Sequence, residues 1–116
     1  MHRGTTPTHM FTLPYAWTDI QEIYITYVQY DEDDKIIATC EKNNSQVVAD
    51  GYKVSVHLTQ EDTLLFRDTV GGKPGNIYLQ VRVLTKGNES WASSILKLSV
   101  DKILKDGKIE GTVANG

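Results

Sequence analysis

The side chains able to do chemistry are few in this chain, and their spacing organises none of them into a site. The histidines are His2, His9 and His57, and their separations match no metal-ligand pattern, with no cysteine or acid pair at a fixed offset. Cys40 is the single cysteine, so an internal disulfide is excluded. It ends the apolar run Ile36-Ile37-Ala38 and reads as a half-buried structural thiol rather than a nucleophile. Asp31-Glu32-Asp33-Asp34 invites a calcium reading but lacks the alternating acids, central glycine and closing glutamate of an EF-hand loop, so it reads as an acidic hairpin turn. Gly71-Gly72-Lys73 is too short for a phosphate loop, and Pro74 and a strand follow where a Ser/Thr and a helix are needed. No serine stands in a nucleophile-elbow context, and no pair of acids can divide acid and base roles. The chemistry points to a protein without catalysis, cofactor or metal.

Composition narrows the class further. The chain has 116 residues, enough for one domain with its own core; 40% are hydrophobic and 23% charged, which argues for a folded rather than a disordered chain. The formal net charge is −3, and Lys35, Lys42, Lys53, Lys73, Lys86 and Lys97 fall mostly in or beside turns. No basic stripe is prepared for nucleic acid. No charged-then-apolar leader opens the sequence and no apolar run approaches the roughly 20 residues of a membrane span, so neither export nor a membrane is expected.

The elements that must position any site are strands. Tyr52 to Leu58 and Ile77 to Val83 alternate apolar with polar residues, and a period of two places the apolar set on one buried face. Glu22 to Tyr30 is rich in β-branched and aromatic residues and pairs through the acidic turn with a strand at Lys35 to Glu41. Thr8 to Leu13 reads as an edge strand ended by Pro14, Gln46 to Ala49 as a short extended piece, and Ser90 to Val100 as one long last strand. Thr18 is expected to cap a helical turn in the connector from Ala16 to Glu22. Thr59-Gln60-Glu61-Asp62 is a helix start with acids in the first turn. That helix should end near Phe66 or Arg67, with Leu64, Leu65 and Phe66 plugging the core. Gly71 to Gly75 is expected as a flexible loop, Asp101 to Leu104 as a helical turn, and residues 106–116 as a flexible tail behind a single domain of residues 1–105.

This spacing of strands and turns predicts an all-β, immunoglobulin-like antiparallel β-sandwich with one short helix in a crossover loop. In that order the strand from Glu22 and the strand from Asn76 are neighbours. If Ile23, Ile25 and Tyr27 face inward together with Ile77, Leu79, Val81 and Val83, the outer face carries Tyr24, Tyr30, Tyr78 and Arg82. The last strand would add Trp91. These residue types are enriched at interaction hot spots, so Tyr24, Tyr30, Tyr78, Arg82 and Trp91 form the candidate interface. Aromatic cross-strand pairing for stability alone is the competing explanation.

The opening Arg3-Gly4-Thr5-Thr6-Pro7-Thr8, with Phe11 and Leu13-Pro14, resembles the start of short prophage-encoded proteins of Gram-positive bacteria. Val54 to Leu58 running into Thr59-Gln60-Glu61-Asp62-Thr63, then Gln80-Val81-Arg82-Val83, and Val100-Asp101-Lys102-Ile103-Leu104 resemble the same group, over roughly residues 3 to 105. The layout of strand, helix and strand is also similar to the N-terminal domain of phage baseplate upper proteins, although no helical or receptor-binding extension is expected here. The resemblance implies a small phage structural protein, tail- or baseplate-associated, whose partners are other phage proteins or further copies of itself. It also implies a place in the virion, or in the bacterial cytoplasm before assembly. The alternative is a carbohydrate-binding module, in which exposed Trp17, Trp91 and tyrosines would stack on cell-surface glycans.

Overall fold

The computed structural model describes residues 1–110; the remainder of the expected tail, residues 111–116, lies outside the described residues. The described chain is built of β1 (Thr8–Thr12), β2 (Ile20–Tyr30), β3 (Ile36–Lys42), β4 (Val47–Asp50), β5 (Lys53–His57), α1 (Gln60–Leu64), β6 (Thr69–Val70), β7 (Lys73–Pro74), β8 (Asn76–Thr85), β9 (Ser90–Ala92) and β10 (Leu96–Ser99). A smaller sheet runs β1-β5-β4; a larger one runs β10-β8-β2-β3, with β9 also paired to β8; β6 and β7 form a separate hairpin. All ladders are antiparallel. The fold is an all-β sandwich, as the alternation predicts, and β2 and β8 are neighbours.

The pleat does what the spacing requires. Ile23, Ile25, Tyr27, Ile77, Leu79, Val81 and Val83 are buried from the larger sheet, and Val54 and Val56 meet them from the smaller one. Burying such side chains contributes about 1.5–3 kcal/mol each, before the entropy of ordering the chain is set against it. Thr59 caps α1: its hydroxyl accepts from the Asp62 N–H while the Asp62 carboxylate accepts from the Thr59 N–H, a reciprocal box. Of the three expected plugs only Phe66 is fully buried, whereas Leu65 points to solvent. The helix stops at Leu64, so Phe66 enters the core from the segment after it.

Several boundaries differ from expectation, each for a local reason. The connector holds a single 3-10 turn at Trp17–Asp19 whose N-cap is Ala16, not Thr18. The expected long last strand is broken into β9 and β10, because Ser93 replaces part of the ladder: its hydroxyl accepts from the Val81 N–H and donates to the Ser94 carbonyl. Gly71 and Gly72 form the tight turn of the β6–β7 hairpin rather than a loose loop. Both have positive φ, 59° and 77°, the backbone pattern a two-residue hairpin turn of matching twist demands. Asp101 makes a parallel bridge with His2 in place of a helical turn. Within the segment expected to fray, Asp106 pairs with Arg3 at 2.6 Å and Lys108 with Glu61 at 2.7 Å.

A buried glutamine ties the crossover to the larger sheet. Gln29 is fully buried on β2; its amide donates to the Arg67 carbonyl and accepts from the Arg67 N–H, both at 2.8 Å. Gly75 lies beneath this clip, and a Cβ there would collide with the Arg67 carbonyl oxygen. No helix is long and apolar enough to cross a membrane among the described residues.

Candidate interaction site

The outer face of the larger sheet is laid out by the register of β2 against β8. Tyr24 lies opposite Arg82, Thr26 opposite Gln80 and Val28 opposite Tyr78, so these alternate residues share the solvent side. Tyr30, one diagonal step from Tyr78, brings its ring to 5.8 Å from it with the planes at 58°, a tilted aromatic pair. Lys97 on β10 lies opposite Tyr78 on the same side. Tyr24, Tyr30 and Tyr78 are 37%, 39% and 36% exposed. The Tyr24 hydroxyl donates to the Glu22 carboxylate, and this hydrogen bond raises its pKa above the ordinary phenol value.

Four of the five candidate interface residues therefore share one face. Trp91 does not. Its register partner is Val83, a core residue, and the indole packs half-buried against the core. The cause is the turn after β8: the Thr85 hydroxyl accepts from the Glu89 N–H, and Asn88 adopts a φ of 65°. That geometry sets Ser90 and Ala92 outward and Trp91 inward. Trp17 is likewise packed in part against the core.

Tyr30 and Tyr78 also line a cleft of about 750 Å³ at one end of this face, within the size range of ligand sites. Val70, Pro74 and Ile95 add apolar lining, and Asp31, Glu32, Asp34 and Lys73 supply charge. The cleft joins segments far apart in sequence: the β2–β3 turn, the β6–β7 hairpin, the start of β8 and the break before β10. Ile95, Pro74 and Glu32 carry no sequence signal for such a role, and the Gly-Gly pair reads as a loop rather than as the hairpin found there.

The acidic turn is structured by its own backbone. The Asp31 carboxylate accepts from the N–H groups of Asp33 and Lys35 at 2.8 and 2.9 Å, and Asp34 takes a φ of 59°. Among the described residues no group of three His, Cys, Asp or Glu side chains is placed to hold a metal ion.

The remaining titratable groups form a seam inside the sandwich. The Tyr27 hydroxyl and His9 Nδ1 lie 2.6 Å apart between the two sheets. Burial lowers the His9 pKa, with the N-terminal ammonium acting the same way, and burial raises that of Tyr27. The imidazole is thus uncharged at neutral pH, and the two groups share one hydrogen bond. Next to Tyr27, burial pushes the Cys40 thiol up to about 11, reinforced by the Asp62 carboxylate, so it is protonated at neutral pH and a poor nucleophile. Lys42 pairs with Asp62 at 2.8 Å, joining β3 to α1. Burial opposes the Asp62 charge, but Lys42 and the Thr59 donors outweigh it and hold the carboxyl below its ordinary range. His57 is exposed and hydrogen-bonds Thr8, as a solvent-facing histidine should. No buried side-chain nitrogen or oxygen among the described residues lacks a partner, so the seam is satisfied internally.

No family model, no curated protein and no solved structure matches the chain.

Proposed function

We propose that this chain is a non-catalytic binding domain that joins phage structural proteins through the outer face of its larger sheet. The reading places it in a virion tail or baseplate, or in the bacterial cytoplasm before assembly, which is the setting its sequence resemblance implies. The observation that carries it is the row of three tyrosines, each more than a third exposed, with Arg82 set among them on the face of β2 and β8 that the core does not use. Such residues are the common anchors of protein interfaces. An immunoglobulin-like arrangement agrees with the observed order, β2 and β8 being central in one sheet and β1, β5 and β4 forming the other.

The test is coexpression with the products of the flanking genes, comparing the native chain with a Tyr24→Ser/Tyr78→Ser variant. The variant should unfold at the same midpoint and no longer co-purify with its partner. Retention of every partner would remove the reading. Loss of the fold would show that both residues serve the core. A carbohydrate-binding role has less support, because Trp17 and Trp91 are both packed in part against the core and the Tyr30 and Tyr78 rings are tilted rather than coplanar. Titration with cell-wall glycans should leave tryptophan fluorescence without a saturable change.

A further inference from the structure

A second feature of the surface matches the cleft in chemistry. Leu104 is 99% exposed, the extreme among the large hydrophobic residues described, and it stands between exposed Lys102 and Lys105. Its segment is held on both sides: the Val100 N–H donates to the Gly75 carbonyl at 3.0 Å, and Asp106 pairs with Arg3 at 2.6 Å. Ile103 turns inward beside Gly4, its Cδ1 so close that a Cβ on that glycine would lie 3.3 Å away. The chain thus presents a leucine flanked by cations on a loop anchored at either end. Neither Lys102 nor Lys105 has an ion-pair partner among the described residues.

The cleft is the complement of this loop. Tyr30, Tyr78 and Ile95 give it an apolar lining, and three carboxylates against the single Lys73 leave it net negative. Glu32 and Asp34 have no cationic partner among the described residues. The loop does not fill the cleft of its own molecule, since Leu104 is in solvent. Loop and cleft nevertheless lie at the same end of the sandwich: Asn76 lines the cleft, and the carbonyl of its neighbour Gly75 receives the Val100 N–H. Two features at one end can satisfy each other twice across a two-fold axis, which closes the assembly.

We propose that the occupant of the cleft is a second copy of this chain, whose Lys102 to Lys105 loop seats Leu104 over Tyr30 and Tyr78 and sets its lysines against Glu32 and Asp34. This rests on the reading of the outer face as an interaction surface and names its partner at the cleft end. Apolar contact supplies the affinity and the charges set the register.

Sedimentation of the full chain over a range of concentrations should show a reversible dimer that weakens as salt is raised. Leu104→Ser should weaken it by about tenfold or more, the scale of an exposed apolar anchor withdrawn. Lys105→Glu and Glu32→Lys should each weaken it, and the two together should restore it, while all variants keep the native unfolding midpoint. A native chain that stays monomeric throughout overturns the proposal and leaves the outer-face reading to the coexpression test. A dimer indifferent to Leu104→Ser but lost with Tyr24→Ser/Tyr78→Ser overturns the loop assignment alone. A dimer indifferent to all of these variants forms elsewhere on the molecule, which overturns the proposal and again leaves the outer-face reading to the coexpression test.

Discussion

The two sides of β2 and β8 share one set of backbone hydrogen bonds and carry opposite duties. On the inner side Ile23, Ile25, Tyr27, Ile77, Leu79, Val81 and Val83 are all buried, and their only polar atom, the Tyr27 hydroxyl, is bonded to His9. On the outer side Tyr24, Tyr30, Tyr78 and Arg82 are exposed, and the one close aromatic contact, between Tyr30 and Tyr78, stands at the cleft. Successive residues of one strand thus belong to different surfaces, the core on one side and, in the proposed reading, a recognition face on the other. The difference teaches that a substitution in these strands should be judged by parity before chemistry. A change of one side chain should alter folding or association, and seldom both.

Graded substitutions can break that division or sharpen it. The largest effect is expected inside: Phe66→Ala should remove about 3–5 kcal/mol of stability, seen as a lower urea midpoint at unchanged slope. Gln29→Leu should follow, because the Arg67 N–H and carbonyl lose their buried partners. A loss of about 1–3 kcal/mol is expected, with faster hydrogen exchange near Arg67 as its local signature.

The Lys42–Asp62 pair ranks next and makes stability depend on pH. The Asp62 carboxyl titrates below its ordinary value when folded. Its contribution is therefore complete above the unfolded value and is lost as pH falls through the folded one. Asp62→Asn should cost about 2 kcal/mol at neutral pH and flatten the acid limb of a stability–pH curve. His9 adds a second window in the same direction. Its folded pKa is lowered, so stability is full above about 6.5 and declines as pH falls from there through the folded value. Tyr27→Phe should remove about 1 kcal/mol, read from the unfolding midpoint at neutral pH. The smallest change in stability belongs to the outer side: Tyr24→Ser/Tyr78→Ser should stay within about 1 kcal/mol and yet abolish association. If that variant lost as much stability as Phe66→Ala, the division between the faces would be wrong.

Much of the inner side was legible from residue order, because a period of two is enough to sort Ile77, Leu79, Val81 and Val83 from Tyr78, Gln80 and Arg82. The threonine cap and first-turn acids at Thr59 to Asp62 were legible because their signal is local, whereas the reciprocal bond from the Thr59 N–H to Asp62 came only with the structure. Trp91 was not. Its side depends on the geometry of the turn between Thr85 and Ser90, where a shift of one residue exchanges the faces. The strand break at Ser93 leaves no mark in the sequence, because a serine hydroxyl competes with a ladder only when the neighbouring strand, here at Val81, is in place. The cleft was hidden altogether. Its lining comes from four separate segments, and none of Glu32, Pro74 or Ile95 is unusual in its own sequence context.

The β6–β7 hairpin belongs to neither large sheet, yet Val70, Lys73 and Pro74 line the cleft. Its rung pairs Thr69 with Pro74 and Val70 with Lys73, and the chain re-enters the core only at Gly75 and Ile77. This makes it a replaceable panel. A lineage, or an engineer, can exchange the Val70-Gly71-Gly72-Lys73 tip for another length or charge and re-cut the cleft. Because the tip supplies no core side chain, the outline of the cleft can change while the sandwich beneath it keeps its packing.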